Sequence, residues 1–174
     1  VAEFARIQTA SHTTQDLNSA EFSYCDATNS FQSVGFVEFP KDIEVGAVSA
    51  VAIGKDDEIY ILQRGETPLL AFDKDGKFLR GWGQGLFKVP HGLRVDREGN
   101  IWTTDNGNHV LRQFSREGKL IGTLGQEGKG VTSEAGFKSP DDLVFDSAGN
   151  FFIADAGNGR IVKLSPEGKF LAAF

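Results

Sequence analysis

Residues 94–125 read "RVDREGNIWTTDNGNHVLRQFSREGKLIGTLG", and the punctuation of this stretch decides the fold. Three runs, Ile101–Thr104, Val110–Phe114 and Leu120–Leu124, are rich in β-branched, aromatic and other apolar residues. "DREGN", "DNGN" and "SREGK" separate them, and Asp, Asn and Gly sit there because tight hairpins need residues that tolerate positive φ. With the apolar Gly92–Val95 in front, the pattern predicts four short antiparallel strands.

The unit recurs as "AIGKDDEIYILQRGETPLLAFDKDGKFLRGWG" from Ala52 and "VFDSAGNFFIADAGNGRIVKLSPEGKFLAAF" from Val144. Gly54, Asp96 and Asp146 correspond, giving offsets of 42 and then 50 residues. A period of roughly 40–50 residues built from short strands indicates a β-propeller rather than a helical solenoid. The expected fold is therefore all-β, with about three four-stranded blades. A loop-rich segment takes 1–47, and blades take 48–89, 90–139 and 140–174. The eight extra residues between the second and third units fall in "GQEGKGVTSEAGFKSP", which predicts a longer surface loop. Residues 1–32 are rich in Ser, Thr, Asn and Gln without clear periodicity, and they read as loops holding one or two strands, with an imperfect fourth blade as the alternative.

Composition narrows the function classes. The 174 residues are 40% apolar and 24% charged, ordinary for a soluble globular domain. A net charge of −6 without a basic cluster argues against nucleic acid as a partner. No apolar run has the length of a transmembrane helix. Cys25 is the only cysteine, so no intrachain disulfide forms and the redox compartment stays open. The amino terminus lacks the charged-then-apolar layout of a signal peptide, and a secreted or periplasmic location after processing is compatible with that. The chain contains no Met, and the third unit stops just before the Gly that closes the others at Gly83 and Gly125. Both facts lead us to expect a fragment of a larger ring. Unpaired terminal blades expose edges and apolar faces, so self-association is expected, with three blades from each of two chains able to close six.

Equivalent positions in a propeller surround one axis, and the first strand of each blade lines the channel. At its entry stand Ser49, His91 and Asp141. His91 is a candidate metal ligand, although a catalytic zinc usually takes three protein ligands plus water. The alternative is a polar residue bonded to a neighbouring blade. Arg64 departs from its counterparts Asn106 and Ala156 and offers a bidentate fork to a carboxylate, unless it pairs with Glu66 or Asp57 on the surface. His109, set against Arg160 in the third unit, reads as structural, and His12 carries no signal. The acid pairs Asp56–Asp57 and Asp141–Asp142 read mostly as turn formers. No phosphate loop, nucleophile elbow or CxxC pair occurs.

"DNGNHVLRQFSREGK" and "DAGNGRIVKLSPEGK" resemble NHL repeats, a family whose propellers usually have six blades. Within it, "VAIGKDDEIYILQRG" and "FKVPHGLRVDREGNIWTTDNGNHV" look like the peptidyl-α-hydroxyglycine α-amidating lyase branch. Those enzymes split a carboxy-terminal α-hydroxyglycine into a peptide amide and glyoxylate. The resemblance implies that Arg64 helps position the substrate and a catalytic tyrosine. It implies that His91 is the first of three zinc-binding histidines. It implies that the backbone carbonyls of Val51 and Leu93 bind a structural calcium. The third unit departs from the pattern: Ala156 and Gly157 stand where the lyases carry their catalytic tyrosine, and no further zinc histidine matches. Three functions follow as expectations: a metal-dependent carbon–nitrogen lyase, a non-catalytic propeller binding a peptide or small molecule at its channel, and a half-propeller completed by a second copy.

Overall fold

A computed structural model describes residues 37–174 of the chain, together with the paired backbones of β1 (Cys25–Asp26) and β2 (Asn29–Ser30). His12 and most of the segment read as loop-rich lie outside the described residues.

Three four-stranded antiparallel meanders follow. The first blade is β3 (Val48–Ile53), β4 (Ile59–Gln63), β5 (Leu69–Phe72) and β6 (Phe78–Trp82). The second is β7 (Pro90–Val95), β8 (Ile101–Asp105), β9 (Val110–Phe114) and β10 (Leu120–Gly125). The third is β11 (Pro140–Phe145), β12 (Phe151–Asp155), β13 (Arg160–Leu164) and β14 (Phe170–Ala173). The first strands β3, β7 and β11 pack on one another in sequence order, as the inner strands of propeller blades do. No helix of the described residues is long and apolar enough to cross a membrane.

Turn chemistry explains the regularity. Gly99 and Gly118 both take φ +90° in the hairpins that "DREGN" and "SREGK" predict. The first unit has no glycine in "KDDE", and there Asp56 and Asp57 take φ +60° and +58° themselves. Asp is among the few side chains that tolerate this region.

Strand register corrects one expectation. Asp105 pairs with Val110 and Asp155 with Arg160, so Arg160 corresponds to Val110. The true counterpart of His109 (φ +62°) is Gly159 (φ +63°). His109 therefore fills a left-handed turn position, and its Nδ1 accepts the Ser139 N–H at 3.0 Å.

Alternation along the strands gives each blade two apolar faces, and stacking buries them. The rear of the first blade (Tyr60, Leu62, Leu69, Ala71, Trp82) packs on Leu93, Ile101 and Phe114 of the second. The rear of the second (Trp102, Leu111) packs on Leu143, Phe151, Ile153, Val162 and Leu164 of the third. Full burial of one such side chain is worth roughly 1.5–3 kcal/mol, so adjacent blades stabilise each other far more than a single blade could stabilise itself.

The terminal faces differ. On the front of the first blade, Ile61, Leu70 and Phe72 are covered by Val37 and Ile43, with Phe39 edge-on to Phe72 at 5.5 Å. On the rear of the third, Val144, Ile161 and Leu171 are exposed. The loop between the second and third blades is anchored as well as exposed. Phe137 is buried in the core between those blades, and the Arg160 guanidinium donates to the carbonyls of Thr132, Ser133 and Gly136.

Candidate functional site

Each inner strand carries a register irregularity near its start, between Val48 and Ala50, Pro90 and Leu93, and Pro140 and Leu143. Ser49, His91 and Asp141 sit at these bulges, which re-aim side chains at a sheet edge. Two of the three come together. His91 Nδ1 lies 3.1 Å from the Asp141 carbonyl oxygen, and Nε2 lies 3.7 Å from Asp141 Oδ1. A carbonyl can only accept, so the proton of a neutral imidazole sits on Nδ1 and the Nε2 lone pair remains available. Asn106 Nδ2 donates to Asp141 Oδ1 at 2.8 Å, and Thr104 Oγ1 donates to the Asp141 carbonyl at 2.7 Å. Ser49 instead turns inward and donates to the Leu62 carbonyl at 3.2 Å.

Asp141 and Asp142 belong to β11 and form no turn, which corrects the sequence expectation. Asp142 forms an ion pair across the blade boundary with Arg94 Nη2, and Arg94 Nη1 donates to the Leu93 carbonyl at 2.7 Å. Glycine is required at position 92, because a Cβ there would lie 2.8 Å from the Asp141 carbonyl oxygen.

Arg64 follows β4 at the same end of the sheets, with its backbone N–H donating to the Ala47 carbonyl at 3.0 Å. Its side chain is exposed. Among the described residues no salt bridge includes Arg64, Glu66 or Asp57. The surface pairing with Glu66 or Asp57 is thus not formed.

The residue before Arg64 reveals a structural device. In the second blade Asp105 Oδ1 accepts the N–H groups of Val89, Gly107 and Asn108, while Oδ2 accepts Lys88 N–H and Arg112 Nη1. Asp155 does the same for Lys138 N–H and Arg160 Nε. Gln63 substitutes in the first blade, with Oε1 accepting the N–H groups of Gly46 and Gly65. Burial alone would raise the Asp105 pKa, but its hydrogen bonds from Val89, Lys88, Asn108 and Arg112 outweigh that and hold it below the ordinary value. The aspartate also bonds Arg112, whose side chain is only 2% exposed and lies over the Phe87 ring. Alternation puts Arg112 on the same face of β9 as Val110 and Phe114, which is the signal that could have found it.

The metals implied by the resemblance can be set against these residues. His91 suits zinc as one donor, since its Nδ1 is oriented by a carbonyl in the way metal-binding imidazoles usually are. Among the described residues no three His, Cys, Asp or Glu side chains gather at one point. The Leu93 carbonyl, the calcium candidate, accepts a hydrogen bond from Arg94 Nη1, whose charge is matched by Asp142.

The third blade is tightly packed at position 157, where the lyases carry their tyrosine. Gly157 N–H donates to the Lys138 carbonyl at 2.8 Å, and a Cβ on Gly157 would lie 2.5 Å from that oxygen. Ala156 beside it is exposed.

Blades of this architecture are those of a β-propeller, and comparison with known proteins finds similarity to NHL repeats. The NHL repeat signature matches residues 87–114. Human NHL repeat-containing protein 3 is 35% identical over 109 residues, covering 56% of this chain and 31% of that protein. Peptidyl-alpha-hydroxyglycine alpha-amidating lyase 1 of Drosophila melanogaster is 31% identical over 112 residues, covering 48% of this chain and 21% of the enzyme. Among solved structures, a catalytically inactive virginiamycin B lyase from Staphylococcus aureus with quinupristin superposes with a TM-score of 0.61. Its identity is 18% over 79% of this chain and 43% of that one, a likeness of fold. The chain thus spans under a third of these two curated relatives and under half of the solved structure. It resembles the amidating-lyase branch of NHL propellers, as the first two units suggested.

Proposed function

We propose that these blades belong to a lyase-like propeller that acts on a peptide ending in α-hydroxyglycine. The observation that carries this reading is that an exposed arginine, Arg64, and an oriented histidine, His91, stand at the same end of the blades. Arg64 would receive the terminal carboxylate through two parallel N–H···O bonds. His91 would hold zinc through Nε2, with further donors from outside the described residues. When bound, that metal would supply Lewis acidity towards the substrate hydroxyl. Cleavage removes the hydroxyl proton, breaks the bond between the peptide nitrogen and the α-carbon, and returns a proton to nitrogen, giving peptide amide and glyoxylate. The bond between His91 Nδ1–H and the Asp141 carbonyl keeps the imidazole in the required tautomer throughout. Near-stoichiometric zinc in the protein carrying these blades, lost on His91→Ala, tests the reading, and zinc-free protein would sink it.

A second reading rests on Gly157. The backbone there leaves no room for a side chain, so the position of the lyases' tyrosine supplies no base. A propeller with the same arginine and histidine but no base would bind a carboxylate-terminated peptide and release it uncleaved.

A further inference from the structure

Each blade carries on its rear face an aromatic ring beside a carboxylate, and in two blades a cation of this chain sits on the pair. In the first, Glu58 Oε2 accepts hydrogen bonds from the Tyr60 hydroxyl and from Arg116 Nε, the latter at 3.0 Å, with Arg80 Nη2 at 3.4 Å. The Arg80 guanidinium also lies 6.0 Å from the Tyr60 ring centroid. In the third, Lys163 Nζ lies 4.9 Å over the Phe152 ring and 3.8 Å from Asp146 Oδ2.

The second blade has the same pair without the cation. Asp96 Oδ2 accepts Trp102 Nε1 at 2.9 Å and Asn100 Nδ2 at 3.0 Å, and Oδ1 accepts the Asn100 N–H at 2.7 Å. All three donors are neutral. Among the described residues no salt bridge includes Asp96. Repeat alignment gives the cause. The places of Arg80, Arg116 and Lys163 are held here by Gly122, Pro166 and Gln113. The space such side chains would fill remains as a crevice of about 330 Å³ between the second and third blades. Trp102, Phe145, Phe151 and Pro166 wall it, and Asp96 and Glu98 supply negative charge.

We propose that this crevice binds the guanidinium of an arginine side chain presented by a peptide partner. A guanidinium is planar and weakly hydrated, so it can stack on an indole or phenyl face while its edge donates to a carboxylate. The first crevice shows the same chemistry satisfied from within, by Arg116 and Arg80 against Glu58 and Tyr60. Arg97, exposed on the rim, adds a positive charge beside the same acids.

The chain has two tryptophans, so its indole N–H groups give two signals in a proton–nitrogen correlation spectrum. Titration with N-acetyl-arginine amide should move the Trp102 signal saturably in the millimolar range and leave that of Trp82 in place. The citrulline analogue has the same shape without the charge and should move neither. Pro166→Arg restores the residue that fills the first crevice, and should abolish the shift while the rest of the spectrum stays folded. Arg97→Ala should tighten binding. An unmoved Trp102 signal, an equal response to citrulline, or an unaltered titration in Pro166→Arg would overturn the proposal.

Discussion

His91 of the second blade and Asp141 of the third are joined across the blade boundary, with imidazole Nδ1 3.1 Å from the backbone carbonyl oxygen. Because the acceptor is backbone, Asp141→Ala should leave the imidazole tautomer intact while removing the partner of Asn106. Zinc content should therefore survive Asp141→Ala and fall to background in His91→Ala. Elemental analysis of purified protein checks both. Equal loss in the two variants would show that the Asp141 carboxylate, and not its backbone carbonyl alone, is needed to hold the metal.

Asp105 ties the start of the second blade to its own turn, and its carboxyl is fully buried against Arg112. Asp105→Ala leaves a buried guanidinium without that partner and should cost about 3–5 kcal/mol in denaturant unfolding. The pH dependence has a definite sign. A carboxyl whose folded pKa is lowered contributes stability that is fully present above its unfolded value, near 4. That contribution is lost as pH falls from there through the lower folded value. Asp105→Asn should flatten this acid limb, and an unchanged limb would remove Asp105 from the account.

At the basic end Tyr60 behaves oppositely. Burial first, then the hydrogen bond and charge of Glu58, push its hydroxyl up to about 12 from 10.0. The folded state holds that proton more tightly, so stability should fall between about pH 10 and pH 12. Tyr60→Phe should abolish that part of the fall in thermal melts.

Gly157 lies against the Lys138 carbonyl, where a Cβ would approach to 2.5 Å. Gly157→Ala should destabilise by roughly 1–3 kcal/mol, the usual cost of overpacking. The exposed neighbour should accept Ala156→Tyr without loss. Equal melting of Gly157→Ala and the parent protein would reopen position 157 to a catalytic side chain.

The blade grammar was legible because it is local. Turns such as "SREGK" need positive φ at one site, and Gly118 and Gly168 meet that need wherever the strand goes afterwards. His91 and Arg64 stand out from the repeat as candidates in the sequence alone. What escaped depends on the neighbouring blade. Nothing in "PDDLVF" says that Asp142 meets Arg94, which lies 48 residues away in sequence. Position 106 looked like a turn residue, yet its side chain holds Asp141. The covering of the first blade by Val37, Phe39 and Ile43 was also hidden, because that segment lacks the repeat and its apolar residues acquire meaning only against Phe72.

Under the proposed function Arg64 and His91 serve the cleavage of α-hydroxyglycine peptides, and glyoxylate release by zinc-loaded protein carrying these blades tests that most directly. Glyoxylate should form from an α-hydroxyglycine peptide, with release abolished by His91→Ala. Arg64→Ala should reduce kcat/KM by about 10²-fold or more, the scale expected when a carboxylate loses a charged bidentate partner. Zinc-loaded protein that binds the peptide and yields no glyoxylate would contradict it.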